Sequence, residues 1–207
     1  MHRSTLLFFI CLFVAVANTF AYHPEDLSRL LTSKKCEQCD LIEANLDNSQ
    51  LIDAVLNRSV LSNASMRWIN LEEASLINAV MKDVDLSWAQ LGLAKLQRTY
   101  LNHSILQQAN LEYADLRGSL LENADLRRAS LKNARLEAAS FENADMRWAD
   151  LSYANLNRTN LKNARLEHAN FTGADIDNAY LEGAVLDGAI WINGKPCSSQ
   201  SVGVCRQ

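Results

Sequence analysis

The hydrophobic positions of this chain recur every five residues, a spacing that suits neither a helix nor a flat strand. From Leu41 to Trp191 every fifth residue is apolar, and 24 of these 31 positions are Leu. Two residues before 29 of them stands a small residue, which is Ala in 22 cases. Five residues advance about 500° around an α-helix, so these side chains would share no stripe. On a strand, an odd spacing sends successive side chains to opposite faces.

The chain must therefore change direction once in every unit, so that each fifth side chain points to a common interior. A coil with four sides of five residues meets this condition, and stacked coils can pair their backbones at the spacing of strands. A sequence that repeats itself at such a short, fixed period indicates a solenoid. A narrow tube has little internal volume, so the small residues are needed beside the large ones. We expect local distortion at Ile69 and Val84, which are bulky residues in small-residue positions.

The motif A-[DN]-L-x-x, seen in "ANLEYADL", "ENADL" and "RRASLKNARL", resembles the pentapeptide-repeat family from residue 36 to about residue 191. The resemblance implies an all-β solenoid, a right-handed quadrilateral β-helix with Leu or Phe at its centre. Four units make a coil, so the repeats predict about 8 coils and a rod of roughly 37 Å. The tail pattern W-x-x-G-x-x-C followed by S-x-G-x-C also resembles exported members of this family.

Four segments are predicted: a signal peptide (1–21), an N-terminal capping helix (22–35), the repeat region (36–191) and a closing C-terminal cap (192–207). The first segment has a basic start, an apolar run and small residues before the expected cleavage after Ala21 or Ala17. The alternative is an uncleaved membrane anchor, but the apolar run is short for a span of about 20 residues. We therefore expect a periplasmic or secreted protein with no stable membrane span after cleavage.

Four cysteines remain once Cys11 leaves with the leader: Cys36, Cys39, Cys197 and Cys205. The CEQC motif could be a redox site, but that interpretation needs a βαβ context. Zinc ligands drawn from both ends of the chain would be geometrically odd. The preferred interpretation is two local disulfides, Cys36–Cys39 and Cys197–Cys205, in an oxidising compartment. The first pair falls in inward-pointing positions of the repeat.

The net charge of −4, about −5 without the leader, does not indicate a nucleic-acid-binding protein. Some cytoplasmic members of the family imitate DNA and bind topoisomerases. That role fits this chain less well, because a signal peptide would remove the protein from such a target and because Arg lines one face.

Positions that differ by 20 in the numbering should lie one above another, and this one-coil rule collects three of the four Trp on one side. We call that side the Trp/Arg face: Arg67, Trp68, Trp88, Arg127, Arg128, Arg147, Trp148 and His168. Exposed Trp with Arg is typical of interaction hot spots. Alternatively, Trp and Arg form cation–π ladders that only stabilise the wall. Neighbouring sides carry a column of Arg58, Arg98 and Arg158 and a patch of Leu93, Tyr113 and Tyr153.

Catalysis finds little support in the sequence. The histidines His23, His103 and His168 are scattered, and we find no nucleophile elbow, metal motif or phosphate loop. We expect a non-enzymatic exported scaffold or protein-interaction surface without cofactor, metal or nucleic acid, as a monomer or weak dimer. Its partner would be a protein or envelope component. The alternative is a secreted carbohydrate-binding or host-directed protein that uses the Trp/Arg face.

Overall fold

The computed structural model describes residues 21–207 and consists of one short helix followed by a four-sided solenoid. Helix α1 spans Pro24–Ser33, within the segment predicted to form a capping helix. From Lys35 to Ile190, the fifth residue of each unit forms parallel bridges with its equivalents in the neighbouring coils. The predicted signal peptide lies outside the described residues, except for Ala21.

The walls of the solenoid are single-residue β-bridges and not extended strands. Each side has only five residues, and a turn takes two of them, as the pattern around Leu131 shows. Leu131 donates its N–H to Asp150 O (2.7 Å), and the N–H of Arg135 reaches Ala114 O in the coil below (2.9 Å). Each side is thus hydrogen-bonded to both neighbouring coils, which satisfies its buried backbone groups.

Each corner is a β-turn whose third residue is left-handed. Ala44 N–H, for example, donates to Leu41 O (3.1 Å), and the intervening Glu43 has φ +58°. Turns with a positive φ at this position favour Gly or Asn. Asp or Asn before a corner supports the turn by accepting a hydrogen bond from the residue two positions on, as when Ser152 N–H donates to Asp150 Oδ1 (2.9 Å).

The large apolar residues of the repeat converge on the axis, as the period predicts. Leu111, Leu131 and Leu151 are fully buried, and bridges between the residues preceding them stack the three in adjacent coils. The two bulky residues in small-residue positions do distort their corners. The turn bond from Ile69 N–H to Met66 O is stretched to 3.4 Å. For Val84 the corresponding turn bond is not formed among the described residues.

The two ends of the solenoid are covered by different segments. Helix α1 packs Leu30 into the first coil, where the Cys36–Cys39 disulfide is fully buried. At the other end, antiparallel bridges Val185↔Val202 and Ile190↔Pro196 place the tail over the last coil. The Cys197–Cys205 disulfide closes that tail, so both pairings favoured by the sequence are present. Among residues 21–207, no helix has the length and apolar character needed to cross a membrane.

Candidate functional site

The structure brings the residues of the Trp/Arg face onto one side of the solenoid. The bridges Ser65↔Asp85, Ile105↔Asp125 and Asp125↔Asp145 belong to the wall of that side and stack its coils in register. The one-coil rule is therefore correct for this face. Trp68, Trp88, Trp148 and His168 all occupy the left-handed corner position, with φ between 57° and 64°.

The aromatic residues of the face form two separate stacks. The rings of Trp68 and Trp88 lie 4.6 Å apart at an angle of 9°. Trp148 stacks on His168 at 4.1 Å and 20°. Because Trp148 lies three coils beyond Trp88, the column is discontinuous. Within residues 21–207, the stacking contacts of these aromatic side chains therefore join ring to ring.

The left-handed conformation makes these aromatic residues unusual. A bulky side chain with positive φ is uncommon, because Cβ crowds the following carbonyl oxygen. Many other corners carry Asn or Gly in this position, for instance Asn123 and Gly173. Trp68 is still 50% exposed and Trp148 57% exposed. The stacks hold large, solvent-facing aromatic rings at positions where the backbone favours smaller residues.

Two arginines of the face are fixed by carboxylates on the adjoining wall. Arg127 donates from Nε to Asp125 Oδ1 (2.9 Å) and from Nη2 to Oδ2 (2.7 Å). Arg147 donates in the same way to Asp145, at 2.8 and 2.6 Å. Burial alone would raise the pKa of both carboxyl groups, but the hydrogen bonds from the arginines lower it by more, so the net pKa of each is below its ordinary value. Both guanidinium groups are consequently held in one orientation.

Arg128 differs from these two because it forms no ion pair with any residue that the structure describes. It is exposed at a corner between Gln108 and Trp148. Arg67 forms a longer ion pair than Arg127 and Arg147 do, because its Nε lies 3.7 Å from Asp85 Oδ2.

A depression of about 330 Å³ lies on this face, between the two aromatic stacks. Its lining residues are Gln107, Gln108, Arg127, Arg128, Arg147 and Trp148. Sequence reasoning did not single out the two glutamines or the carboxylates Asp125 and Asp145. Applying the one-coil rule to the position before each central Leu would have found the carboxylates, because Asp125 and Asp145 stand in equivalent positions of successive coils.

The other residues noted in the sequence lie elsewhere. Leu93, Tyr113 and Tyr153 are exposed on a neighbouring side, and the ring of Tyr153 lies over Gly173, where an added Cβ would approach it to 2.6 Å. The column of Arg58, Arg98 and Arg158 lies half a coil away, on the side opposite the Trp/Arg face and not on a neighbouring side as the sequence analysis expected. In residues 21–207, Asp26, Cys36 and Cys39 are close enough together to suggest a metal site, but the two sulfurs are bonded to each other.

Comparison with known proteins places these features in context. The family model for pentapeptide repeats matches in overlapping segments that extend from residue 35 to residue 188. No curated protein sequence matches the chain significantly.

Several solved structures of pentapeptide repeat proteins are similar. HetL, a protein involved in heterocyst differentiation regulation from the cyanobacterium Nostoc sp. strain PCC 7120, is 28% identical over 86% of this chain and 100% of its own, with a TM-score of 0.47. Full-length QnrB1, a plasmid-mediated fluoroquinolone resistance protein, is 20% identical over 73% of this chain and 76% of its own, with a TM-score of 0.53. A protein of the Arabidopsis thaliana thylakoid lumen is 35% identical over 51% of this chain and 66% of its own, with a TM-score of 0.25. The similarity to QnrB1 is one of fold.

Proposed function

Because the chain belongs to the pentapeptide-repeat family, we propose that it is an exported, non-enzymatic protein whose right-handed solenoid presents the Trp/Arg face to a protein or envelope component. Proteins of this family are generally structural or interaction proteins. The observation that carries the proposal is the pair of exposed aromatic stacks at left-handed corners. Exposed Trp beside Arg is the composition of binding hot spots.

The construction of the solenoid suits this role because it fixes the face before a partner arrives. Backbone hydrogen bonds join each coil to the next, as from Trp148 N–H to Glu167 O (3.1 Å). The carboxylates of Asp125 and Asp145 fix Arg127 and Arg147 in turn. Side chains that are already ordered lose less conformational entropy on binding, which favours affinity.

Export is supported by the pattern of the first 21 residues and by the cysteines. The signal-like segment precedes a chain in which the four remaining cysteines form two disulfides, Cys36–Cys39 and Cys197–Cys205. Disulfides persist mainly in oxidising compartments.

The binding role is tested by capture from an envelope extract. The test variant carries Trp68→Ala, Trp88→Ala and Trp148→Ala. The matched control changes the exposed patch on a neighbouring side, which also occupies left-handed corners: Leu93→Ala, Tyr113→Ala and Tyr153→Ala. We expect the wild type and the control to retain the same partner and the Trp variant to lose it. Equal capture by all three, with only thermal stability reduced, would leave the face purely structural.

Export is tested separately with a reporter fused after Gln207 and a thiol assay on the purified protein. We expect an exported reporter and a mature chain without free thiols. Full-length protein in the cytoplasm, with Cys36, Cys39, Cys197 and Cys205 all reduced, would contradict this part of the proposal and favour a topoisomerase-binding role.

A second candidate function is carbohydrate binding, and the depression beside Trp148 favours it. An exposed aromatic ring flanked by Arg and Gln side chains can stack on a sugar ring and hydrogen-bond its substituents. A glycan array probed with the wild type and the triple Trp variant distinguishes this function, because only a carbohydrate-binding protein gives a Trp-dependent signal there.

A further inference from the structure

The depression between the aromatic stacks contains more positive than negative charge. Arg127, Arg128 and Arg147 line it, whereas Asp125 and Asp145 are the carboxylates paired with them. Arg165 and Glu167 pair with each other beside Asp145, so four guanidinium groups against three carboxylates leave one positive charge. That charge belongs to Arg128, which has no ion-pair partner among the described residues. An anionic group is therefore the complementary ligand chemistry.

Arg127 and Arg147 add hydrogen-bond donors in fixed directions. Their carboxylate contacts engage Nε and Nη2, so the Nη1 group of each keeps its donors free with respect to residues 21–207. Arg127 and Arg147 occupy equivalent positions in adjacent coils, whose backbones are about 4.8 Å apart. Rigid, planar donors of this kind are suited to carboxylate oxygens and to vicinal hydroxyl groups.

Trp148 supplies an apolar platform at the edge of the same depression. His168 covers one face of its ring, so the opposite face and edge border the space in front of Arg128. The stack also limits rotation of the Trp148 side chain. A sugar ring has a C–H-rich face that packs on an aromatic surface, whereas a small inorganic anion has no apolar surface that could pack on Trp148.

The volume of the depression and the polar side chains that line it favour a short segment of a glycan as the ligand. The depression measures about 330 Å³, near the lower end of the range of about 300–1,000 Å³ that is usual for small-molecule sites. Gln108 contributes an amide that can both donate and accept, and Gln107 anchors its own Nε2 on Asp125 Oδ2 (2.7 Å).

From these observations we infer that the depression binds a sugar residue that carries a carboxylate, such as a uronic acid unit of an acidic polysaccharide. Trp148 stacks on the sugar ring, Arg128 binds the carboxylate, and Arg127 and Arg147 donate to ring substituents. The inference rests on the proposed role of the Trp/Arg face and names the class of envelope component that it recognises.

The test measures binding of a galacturonate trimer and of the matching neutral galactose trimer by isothermal titration calorimetry. The variants are Arg128→Gln, Trp148→Ala and, as a matched control, Arg158→Gln. Arg158 also occupies a left-handed corner without an ion pair within the described part of the chain, but it lies on another side. Circular dichroism confirms that each variant is folded.

We expect the wild type to bind the acidic trimer more tightly than the neutral one. Arg128→Gln should weaken binding of the acidic trimer roughly tenfold or more and abolish the preference, because a charge-assisted contact is lost. Trp148→Ala should weaken binding of both trimers, and Arg158→Gln should change neither by more than about twofold, since exposed charges contribute little.

Three results would overturn the inference: no binding of either trimer, an equal effect of Arg128→Gln and Arg158→Gln, or full competition by acetate at equal concentration. If the trimers fail while the triple Trp variant still loses a captured envelope protein, the carbohydrate inference is wrong and the proposed function stands. If both fail, the face is structural.

Discussion

The Trp68–Trp88 stack should stabilise the solenoid wall as well as present an aromatic surface, and a double-mutant cycle separates these contributions. The variants are Trp68→Ala, Trp88→Ala and the double substitution. Trp68 is half exposed, so about 100 Å² of its surface is covered, which corresponds to about 2.5 kcal/mol at about 25 cal/mol/Å² as an upper bound. Trp68→Ala should lose up to this amount of unfolding free energy, and Trp88→Ala should lose more, because Trp88 is less exposed than Trp68.

The coupling between the two substitutions measures the stack itself. Rings at 4.6 Å and 9° are in an aromatic contact that is typically worth about 0.5–1.5 kcal/mol beyond the area buried. The double variant should therefore be more stable than the sum of the single effects predicts, by that amount. Urea unfolding followed by circular dichroism gives the free energies. In a thermal melt, a change of about 1 kcal/mol corresponds to a Tm shift of about 2–4 °C.

The control cycle combines Trp68→Ala with Trp148→Ala, which belong to different stacks four coils apart. Distant sites are usually additive within about 0.3–0.5 kcal/mol. A Trp68–Trp88 coupling no larger than that of the control cycle would refute the reasoning. The rings would then be neighbours without a stabilising interaction, and their exposure would have to be explained by binding alone.

Three further predictions concern the core and the wall. Leu131→Ala should cost about 2–5 kcal/mol because it leaves a cavity on the axis, whereas Lys132→Ala on the partly exposed wall should cost no more than about 0.5 kcal/mol in the same urea titration. Ile69→Ala should cost less than Leu131→Ala, since it lets the 3.4 Å turn bond to Met66 O shorten, and slower amide exchange at residue 69 would show this. Burial alone would raise the pKa of Asp145, but the hydrogen bonds from Arg147 lower it by more, so the pKa lies below the ordinary 3.8. The contribution of Asp145 to stability is therefore present above pH 3.8 and is lost as the pH falls through the lowered pKa. Asp145→Asn should thus lose less stability than the wild type between pH 5 and pH 2, and an identical acid dependence of the two proteins would contradict this.

The period of five was sufficient to predict the interior, because it states which side chains must share a common axis. It placed Leu111, Leu131 and Leu151 above one another, and it identified Ile69 as a residue too large for its position. It did not predict that the walls consist of single bridges. The pattern of inward and outward positions does not show how many of the five residues on each side belong to the turn, and so how few remain to pair with the neighbouring coils.

The site was less accessible to sequence reasoning for a related reason. The one-coil rule brought Trp68 and Trp88 to one side, but it did not reveal that their rings stack. That contact depends on the left-handed corner, which directs the side chain toward the next coil and which spacing alone does not specify. The pairing of Arg147 with Asp145 was missed because the two residues occupy different positions within the repeat.

A coil that closes after four equal sides makes the length of an insertion matter as much as its composition. Gain or loss of one complete coil would lengthen or shorten the rod and leave every surface aligned. One extra repeat unit between Trp88 and Trp148 would preserve the apolar axis but rotate everything downstream by a quarter turn, so that Trp148 would leave the side that carries Trp68. Slippage during duplication of such a gene can therefore rearrange the outside of the protein while its interior stays intact.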